Sequence, residues 1–180
     1  GQCPQCLGGH PNRCSNPAAT SRPKGSAPRL SRADGTAVDQ MARLGGFAEE
    51  MLVHQNGLVK VTEEMPLDKA CLIGCGITTG FGAAVRTAKV EVGSSVCVIG
   101  AGGIGLAAIQ GARVAGANQI IAVDVSKAKL ETAGQMGATH FVNASEVEDV
   151  VAAVRDLSGG GADYSFEAIG RAATVRQAFD

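Results

Sequence analysis

Two groups of residues carry chemistry. The first is Val96-Cys97-Val98-Ile99-Gly100-Ala101-Gly102-Gly103-Ile104-Gly105, which holds the pattern G-x-G-x-x-G at Gly100, Gly102 and Gly105. Gly100 permits a tight turn out of a strand, Gly102 lets backbone approach a pyrophosphate, and Gly105 lets the following helix lie close to the sheet. The helix start, at Gly103 and Ile104, then offers free N–H groups and a partial positive charge to phosphates. Alone the glycine pattern is weak. Here it follows an apolar run and opens a helical one, and Asp124 arrives 19 residues after Gly105. A carboxylate there accepts hydrogen bonds from ribose hydroxyls and repels the extra phosphate of NADP, so the pattern favours NAD. The bland alternatives are a packing turn with no ligand, or the related S-adenosylmethionine fold.

The second group is Cys3-x2-Cys6-x7-Cys14. Three clustered thiols favour a metal over disulfides, and structural zinc asks for four ligands in a closed tetrahedron. The fourth is expected to be a cysteine preceding Gly1, with His10 as the alternative; three free thiols is the remaining reading. Cys71 and Cys97 read as buried structural thiols. Cys75 differs, because it lies between Gly74 and Gly76.

The elements that must position these groups follow from periodicity. Residues 1–45 have no convincing period, and five of the six prolines lie between Pro4 and Pro28. Arg22, Lys24, Arg29 and Arg32 read as a solvated loop in preference to an anion site. Phe47–Val53 and Leu58–Val61 read as short strands about an Asn56-Gly57 turn. A helix is expected after Pro66, and another over Phe81–Ala88. Then strands over Ser95–Ile99, Gln119–Val123, His140–Val142 and Asp163–Ala168 alternate with helices. Those helices cover Gly103–Ala115, Ser126 (as cap) to Met136, Glu146–Leu157, and a last one from Arg171. Such alternation predicts a parallel sheet with right-handed crossovers.

Composition sets the limits. The chain has 180 residues and a formal net charge of -1, with 45 % apolar residues. This suits one large or two small domains and gives no general pull towards nucleic acid or anionic membranes. No tryptophan and one tyrosine argue against a base-stacking platform. The 25 glycines are roughly twice average usage and sit among Ala, Val and Ile, as in tight packing. No apolar run approaches the ~18–20 residues of a bilayer span, and no signal peptide opens the chain. The reduced cysteines fit a cytoplasmic location.

The order and spacing of these motifs resemble the zinc-dependent medium-chain alcohol dehydrogenase family. Cys3 to Cys14 matches its four-cysteine lobe from the second cysteine on. Gly74 to Gly80 matches its G-C-G and Thr-rich turn, Gly100 to Gly105 its glycine turn, Asp124 to Lys129 its acid and lysine, and Glu167 to Arg171 the segment after its fourth strand. Ser15 to Gly45 matches least well. The resemblance implies a partial Rossmann doubly wound parallel sheet over 77–180. Before it, over 1–76, would lie the remnant of a mostly β, GroES-like catalytic domain, with the structural-zinc lobe at 1–14.

Carried onto this sequence, the resemblance makes Cys75 a thiolate ligand of a catalytic zinc and places Thr79 beside the nicotinamide. Asp124 and Lys129 would hold the adenosine ribose, Ile169, Gly170 and Arg171 would line the cofactor cleft, and Cys3, Cys6 and Cys14 would bind structural zinc. The implied activity is NAD-dependent oxidation of an alcohol to an aldehyde or ketone, with zinc as Lewis acid. The alternatives are a relative acting on a thiol adduct of formaldehyde, a non-catalytic NAD-binding module, and a zinc-organised interaction protein. The family's other catalytic ligands and its proton relay find no match here. The chain therefore reads as part of a longer enzyme, expected to be a homodimer or homotetramer, and as inactive by itself.

Overall fold

The computed structural model describes residues 2–16, 25–40, 44–53 and 55–180. It divides into two compact units, Gly1–Thr62 and Glu63–Asp180. Arg22 and Lys24 lie outside the described residues.

In the first unit a proline opens the short helix α1 (Pro4–Leu7), where its missing N–H costs nothing. A 3-10 turn follows over Pro11–Arg13. Strands β1 (Leu30–Ser31) and β2 (Ala37–Val38) pair antiparallel, Leu30 opposite Val38. The strands expected over Phe47–Val53 and Leu58–Val61 do not form among the described residues. Asn56-Gly57 belongs to a 3-10 turn, Gln55–Gly57, and not to a hairpin. Leu52, Leu58 and Val59 are exposed. A β-prone run without a partner strand has nowhere to send its backbone hydrogen bonds.

The second unit opens with one long helical segment, Leu67 to Ala88. It comprises α2 (Leu67–Leu72), a π-helical stretch (Ile73–Ile77), α3 (Thr78–Gly82) and a second π-helical stretch (Ala83–Ala88). The turn expected over Gly74–Gly80 is thus helical, with Ile73, Ile77 and Thr78 all in the right-handed helical region. Each mid-helix glycine costs about 1 kcal/mol relative to alanine. Packing of α3 on the helix over Gly103–Ala115 offsets that cost, so tertiary contact overrides propensity. The domain boundary expected at 76/77 falls inside this segment. By length and composition alone it could also cross a bilayer, contrary to the expectation that no run approaches that length. Its Gly80 and Ala84 are buried.

The sheet is parallel, with strands β3 (Ser95–Ile99), β4 (Gln119–Asp124), β5 (His140–Asn143) and β6 (Tyr164–Glu167) in the order β5-β4-β3-β6. Helices α4 (Gly103–Ala115), α5 (Lys127–Met136), α6 (Val150–Ser158) and α7 (Ala172–Phe179) follow the four strands in turn. Alternate residues of β3 supply two cores. Val96 and Val98 pack with Ile109 and Ala112 of α4 and Leu130 and Ala133 of α5. Cys97 and Ile99 pack with Val142 of β5 and Val150 of α6, joined by Ala178 of α7. Helices therefore cover both faces, as the continuous apolar run of β3 requires.

From β3 onward most element bounds agree with the periodicity within a residue or two, with helix α6 as the exception. It starts at Val150 and not Glu146, because the Asp149 carboxylate accepts the Ala152 N–H at 3.0 Å and caps the helix there. Cys97 is buried, and burial pushes its thiol up to about 12. Cys71 is exposed, contrary to its reading as a buried thiol. It occupies the solvent side of α2, with its thiol donating to the Asp68 carbonyl at 3.2 Å.

At the N-terminal end of the sheet, Asp163 Oδ2 accepts both the Ser95 N–H and its hydroxyl at 2.8 Å, tying β6 to β3. These bonds hold the Asp163 carboxyl below its ordinary 3.8. A depressed folded pKa gives stability above the unfolded value that is lost as pH falls through the folded one. Asp163→Ala is expected to lower the melting temperature at neutral pH. Melting curves of both proteins should converge as the pH is taken below 3.8.

Candidate dinucleotide cleft and cysteine cluster

The chain leaves β3 outward to β4 and β5, then returns to place β6 on the other side of β3. Loops leaving the C-terminal ends of β3 and β6 therefore diverge, which opens the crevice where ligands bind in such sheets. Ala168 N–H donates to the Ile99 carbonyl at 2.9 Å and extends the β3–β6 pairing to the edge of the crevice.

Gly100 occupies that edge with φ of 100°. A Cβ on it would lie 2.6 Å from Ile169 Cγ1. Gly105 has still less room, because a Cβ there would lie 1.8 Å from the Gly100 carbonyl oxygen. The first turn of α4 is therefore pressed onto the end of β3. Nothing lies within 4 Å of a Cβ built on Gly102 or Gly103, so the crevice side of the turn is open. First-turn N–H groups of a helix have no intrahelical acceptor. Those of Gly103, Ile104 and Gly105 thus begin a 13-residue helix beside open space. This arrangement fits a pyrophosphate.

Asp124 ends β4 and is 6 % exposed. Its Oδ2 accepts the Ala101 N–H and its Oδ1 the Ser126 N–H, both at 2.9 Å. Lys129 Nζ stands 3.9 Å from Oδ2. The carboxylate thus anchors the glycine turn from the neighbouring strand, a task the sequence reading did not assign to it. Ser126 is the N-cap of α5, as expected, but its side chain makes no capping bond there.

Ile169 and Arg171 are exposed, and Gly170 between them has φ of 85°. The structure brings Gly100, Gly105, Asp124, Lys129 and Ile169 together around one turn. Thr79 reaches the same neighbourhood through Gly80, whose Cβ would lie 2.0 Å from the Ile104 carbonyl oxygen. A second close approach, Gly111 against Phe81 and Ala84, fixes the crossing of α3 and α4. Neither contact was foreseen. The signal available was Gly111, in a run of otherwise good helix formers; Gly80, among Thr78, Thr79 and Gly82, gave no such signal.

Cys75 lies exposed in the first π-helical stretch. Among the described residues, no set of three ligand-type side chains gathers about it. They do not complete a zinc site there.

In the other unit the sulfurs of Cys3, Cys6 and Cys14 all lie within 4.8 Å of one another, with Cys3 to Cys6 at 3.5 Å and Cys3 to Cys14 at 4.0 Å. Zinc–sulfur bonds of ~2.3 Å in a tetrahedron put sulfurs roughly 3.8 Å apart, so the three fit one zinc ion. Helix α1 carries Cys6 one turn after Cys3, and the 3-10 turn Pro11–Arg13 returns Cys14 to them. The Ser15 hydroxyl and N–H, beside the Cys3 sulfur, lower that thiol to about 5, while Cys3 and Cys14 raise Cys6. His10 is not part of the cluster.

The family described as zinc-binding dehydrogenase matches residues 103–180. The chain is 42 % identical to alcohol dehydrogenase class-3 of Cereibacter sphaeroides, over 99 % of this chain and 50 % of that protein. It is 41 % identical to S-(hydroxymethyl)glutathione dehydrogenase of Paracoccus denitrificans, with the same coverage. Among solved structures it resembles an alcohol dehydrogenase zinc-binding domain protein from Burkholderia ambifaria. That match has a TM-score of 0.83 and 39 % identity, over 99 % of this chain and 49 % of the other. Benzyl alcohol dehydrogenase from Acinetobacter calcoaceticus gives a TM-score of 0.79 and 36 % identity, over 98 % and 48 %. The chain spans about half the length of the curated relatives it matches.

Three substitutions have expected outcomes. Gly105→Ala should destabilise the protein by about 1–3 kcal/mol, since its obstacle is backbone. Gly103→Ala, with open space, should not destabilise it; denaturant midpoints give both values. Cys14→Ser should lower the bound zinc found by metal analysis. It should also abolish the drop in melting temperature that a chelator causes.

Proposed function

Because the chain belongs to the zinc-dependent alcohol dehydrogenase family, whose members use NAD and zinc, we propose that the protein oxidises an alcohol to an aldehyde or ketone by hydride transfer to NAD. The observation that carries this reading is the geometry about Gly100. A helix N-terminus is held against a strand end by Gly105, and a carboxylate from the next strand is bonded to the same turn.

Each residue then has a task. The turn and the first N–H groups of α4 take the pyrophosphate. Asp124 uses one lone pair of each oxygen on the backbone, and the remaining ones are free to accept ribose hydroxyls. Its charge disfavours a 2′-phosphate, while Lys129 beside it offers a donor to the same sugar. Ile169, Gly170 and Arg171 form the opposite wall. Thr79, held near α4 by the Gly80 contact, stands beside the nicotinamide. Cys75 contributes one thiolate to a catalytic zinc whose other ligands come from outside the described residues. That zinc, when bound, polarises the alcohol oxygen as a Lewis acid. Cys3, Cys6 and Cys14 hold a structural zinc.

A second reading of the substrate has an observation in its favour. Two relatives, each 41 % identical, are named as S-(hydroxymethyl)glutathione dehydrogenases, one of them probable. Turnover of simple alcohols and of hydroxymethyl thiol adducts, assayed side by side, separates the two. Turnover confined to the adducts would replace the plain alcohol reading.

Asp124→Ala should weaken NAD binding by about 1–3 kcal/mol, the scale of hydrogen bonds to a charged group. It should also narrow the preference for NAD over NADP. Calorimetric titration with both cofactors measures this, and unchanged affinities would mean that the glycine turn holds no dinucleotide.

A further inference from the structure

The wall opposite Asp124 has an organiser of its own. Glu167 ends β6, directly across from Ile99 of β3. One of its oxygens, Oε1, accepts the Ile169 N–H at 2.9 Å, the Gly170 N–H at 2.8 Å and the Thr174 hydroxyl at 2.7 Å. The Thr174 hydroxyl also lies 3.0 Å from the Arg171 carbonyl, so the first turn of α7 is drawn into the same network. Two consecutive N–H groups can meet one acceptor only if the backbone curls around it, and Gly170, with φ of 85°, continues that curl towards Arg171. The curl presents Ile169 to Gly100, filling the space where a Cβ would stand. Bonding by the Thr174 hydroxyl first, and by the N–H groups of Gly170, Ile169 and Arg171, keeps the Glu167 carboxyl below its ordinary range. It is therefore ionised at neutral pH, and charge-assisted bonds of this kind are about twice as strong as neutral ones.

Two carboxylates thus brace the crevice from strands on either side of β3. Asp124 holds the turn after Gly100 through Ala101. Glu167 holds the loop that packs on Gly100 through Ile169 and Gly170. The first is a sugar ligand in the proposed function. The second has both N–H groups and a hydroxyl on a single oxygen, and no role assigned to it.

We propose that Glu167 is a positioning residue for the dinucleotide: it pre-forms the Ile169–Arg171 wall against Gly100, so that NAD meets an ordered cleft. This rests on the reading of the crevice as a dinucleotide site. A wall that must order on binding charges its conformational entropy to the ligand, whereas a pre-formed one does not.

The test is titration of the protein with NAD by calorimetry, for the wild type and for Glu167→Ala, Glu167→Gln and Asp124→Ala, at a temperature well below every variant's melting point. Glu167→Ala should weaken NAD binding roughly tenfold, as expected for losing one or two ordering bonds. Glu167→Gln keeps an oxygen for the same donors and should recover the affinity to within about threefold. Amide hydrogen exchange at Ile169 and Gly170 in the free protein should rise in Glu167→Ala and stay near wild type in Glu167→Gln. A lower melting temperature with unchanged NAD affinity would show a purely structural role and overturn the proposal. If Asp124→Ala weakens binding while Glu167→Ala does not, this inference fails and the dinucleotide reading stands. If neither does, both fail. Should Glu167→Ala not fold, Thr174→Val, which removes only the hydroxyl donor, takes its place. A measurable loss of NAD affinity is expected there, and none would overturn the proposal.

Discussion

The first turn of α4 and Gly100, the residue that follows β3, touch through backbone. A carbonyl oxygen occupies the place where any side chain on Gly105 would begin. That constraint sets the direction of α4, and with it the direction of the helix dipole and the line of free N–H groups. Gly80, seated on the Ile104 carbonyl, takes its place from the same helix. Gly100 is pinned between α4 and the Ile169 loop. Each further element of the crevice is thus positioned against a contact in which no atom can be added.

Dense backbone packing of this kind has an electrostatic counterpart. Turns with close-set N–H groups need acceptors, and here buried or half-buried carboxylates provide them at the ends of β4 and β6. Each acid gains bonds that a neutral acceptor would make more weakly. Each also leaves a negative charge near where phosphates are expected. The first-turn N–H groups of α4, with Lys129 and Arg171 nearby in the chain's course, supply the opposing field.

Much of this arrangement was legible in the sequence, and the reasons are local. The continuous apolar run of β3 reads as a strand from its shortness, its β-branched residues and the flanking Gly93 and Gly100, and the helix after it is long enough to show its period. Asp124 was found by its distance from Gly105, although its bond to Ala101 was not. What escaped depended on partners distant in the chain. Phe47–Val53 looks like a strand in isolation, but a strand needs a neighbour. Gly74–Gly80 looks like a turn because glycine favours turns, yet contact with α4 makes it helix. Gly80 and Gly111 mark a helix crossing that no single segment reveals. Cys71 was placed inside by the habit of cysteines, when its position on α2 puts it outside. The cysteine cluster lies at the other extreme: spacing alone brought together three sulfurs that the structure also groups.

The π-helical stretch at Ile73–Ile77 carries a consequence for angle as well as for position. Successive residues in an α-helix are offset by about 100° around the axis, and a π turn absorbs an additional residue without breaking the rod. Gly80 is locked against α4, so it acts as a fixed bearing for everything before it in the same helix. The heading of the Cys75 thiol about that axis is then set by how many residues separate it from Gly80, and by how tightly those residues are wound. Removing one residue between them would leave the fold's core untouched yet swing the sulfur roughly a quarter of a turn. In this protein the length of a helical segment is a steering parameter, and the slack wound into it sets where the Cys75 sulfur points.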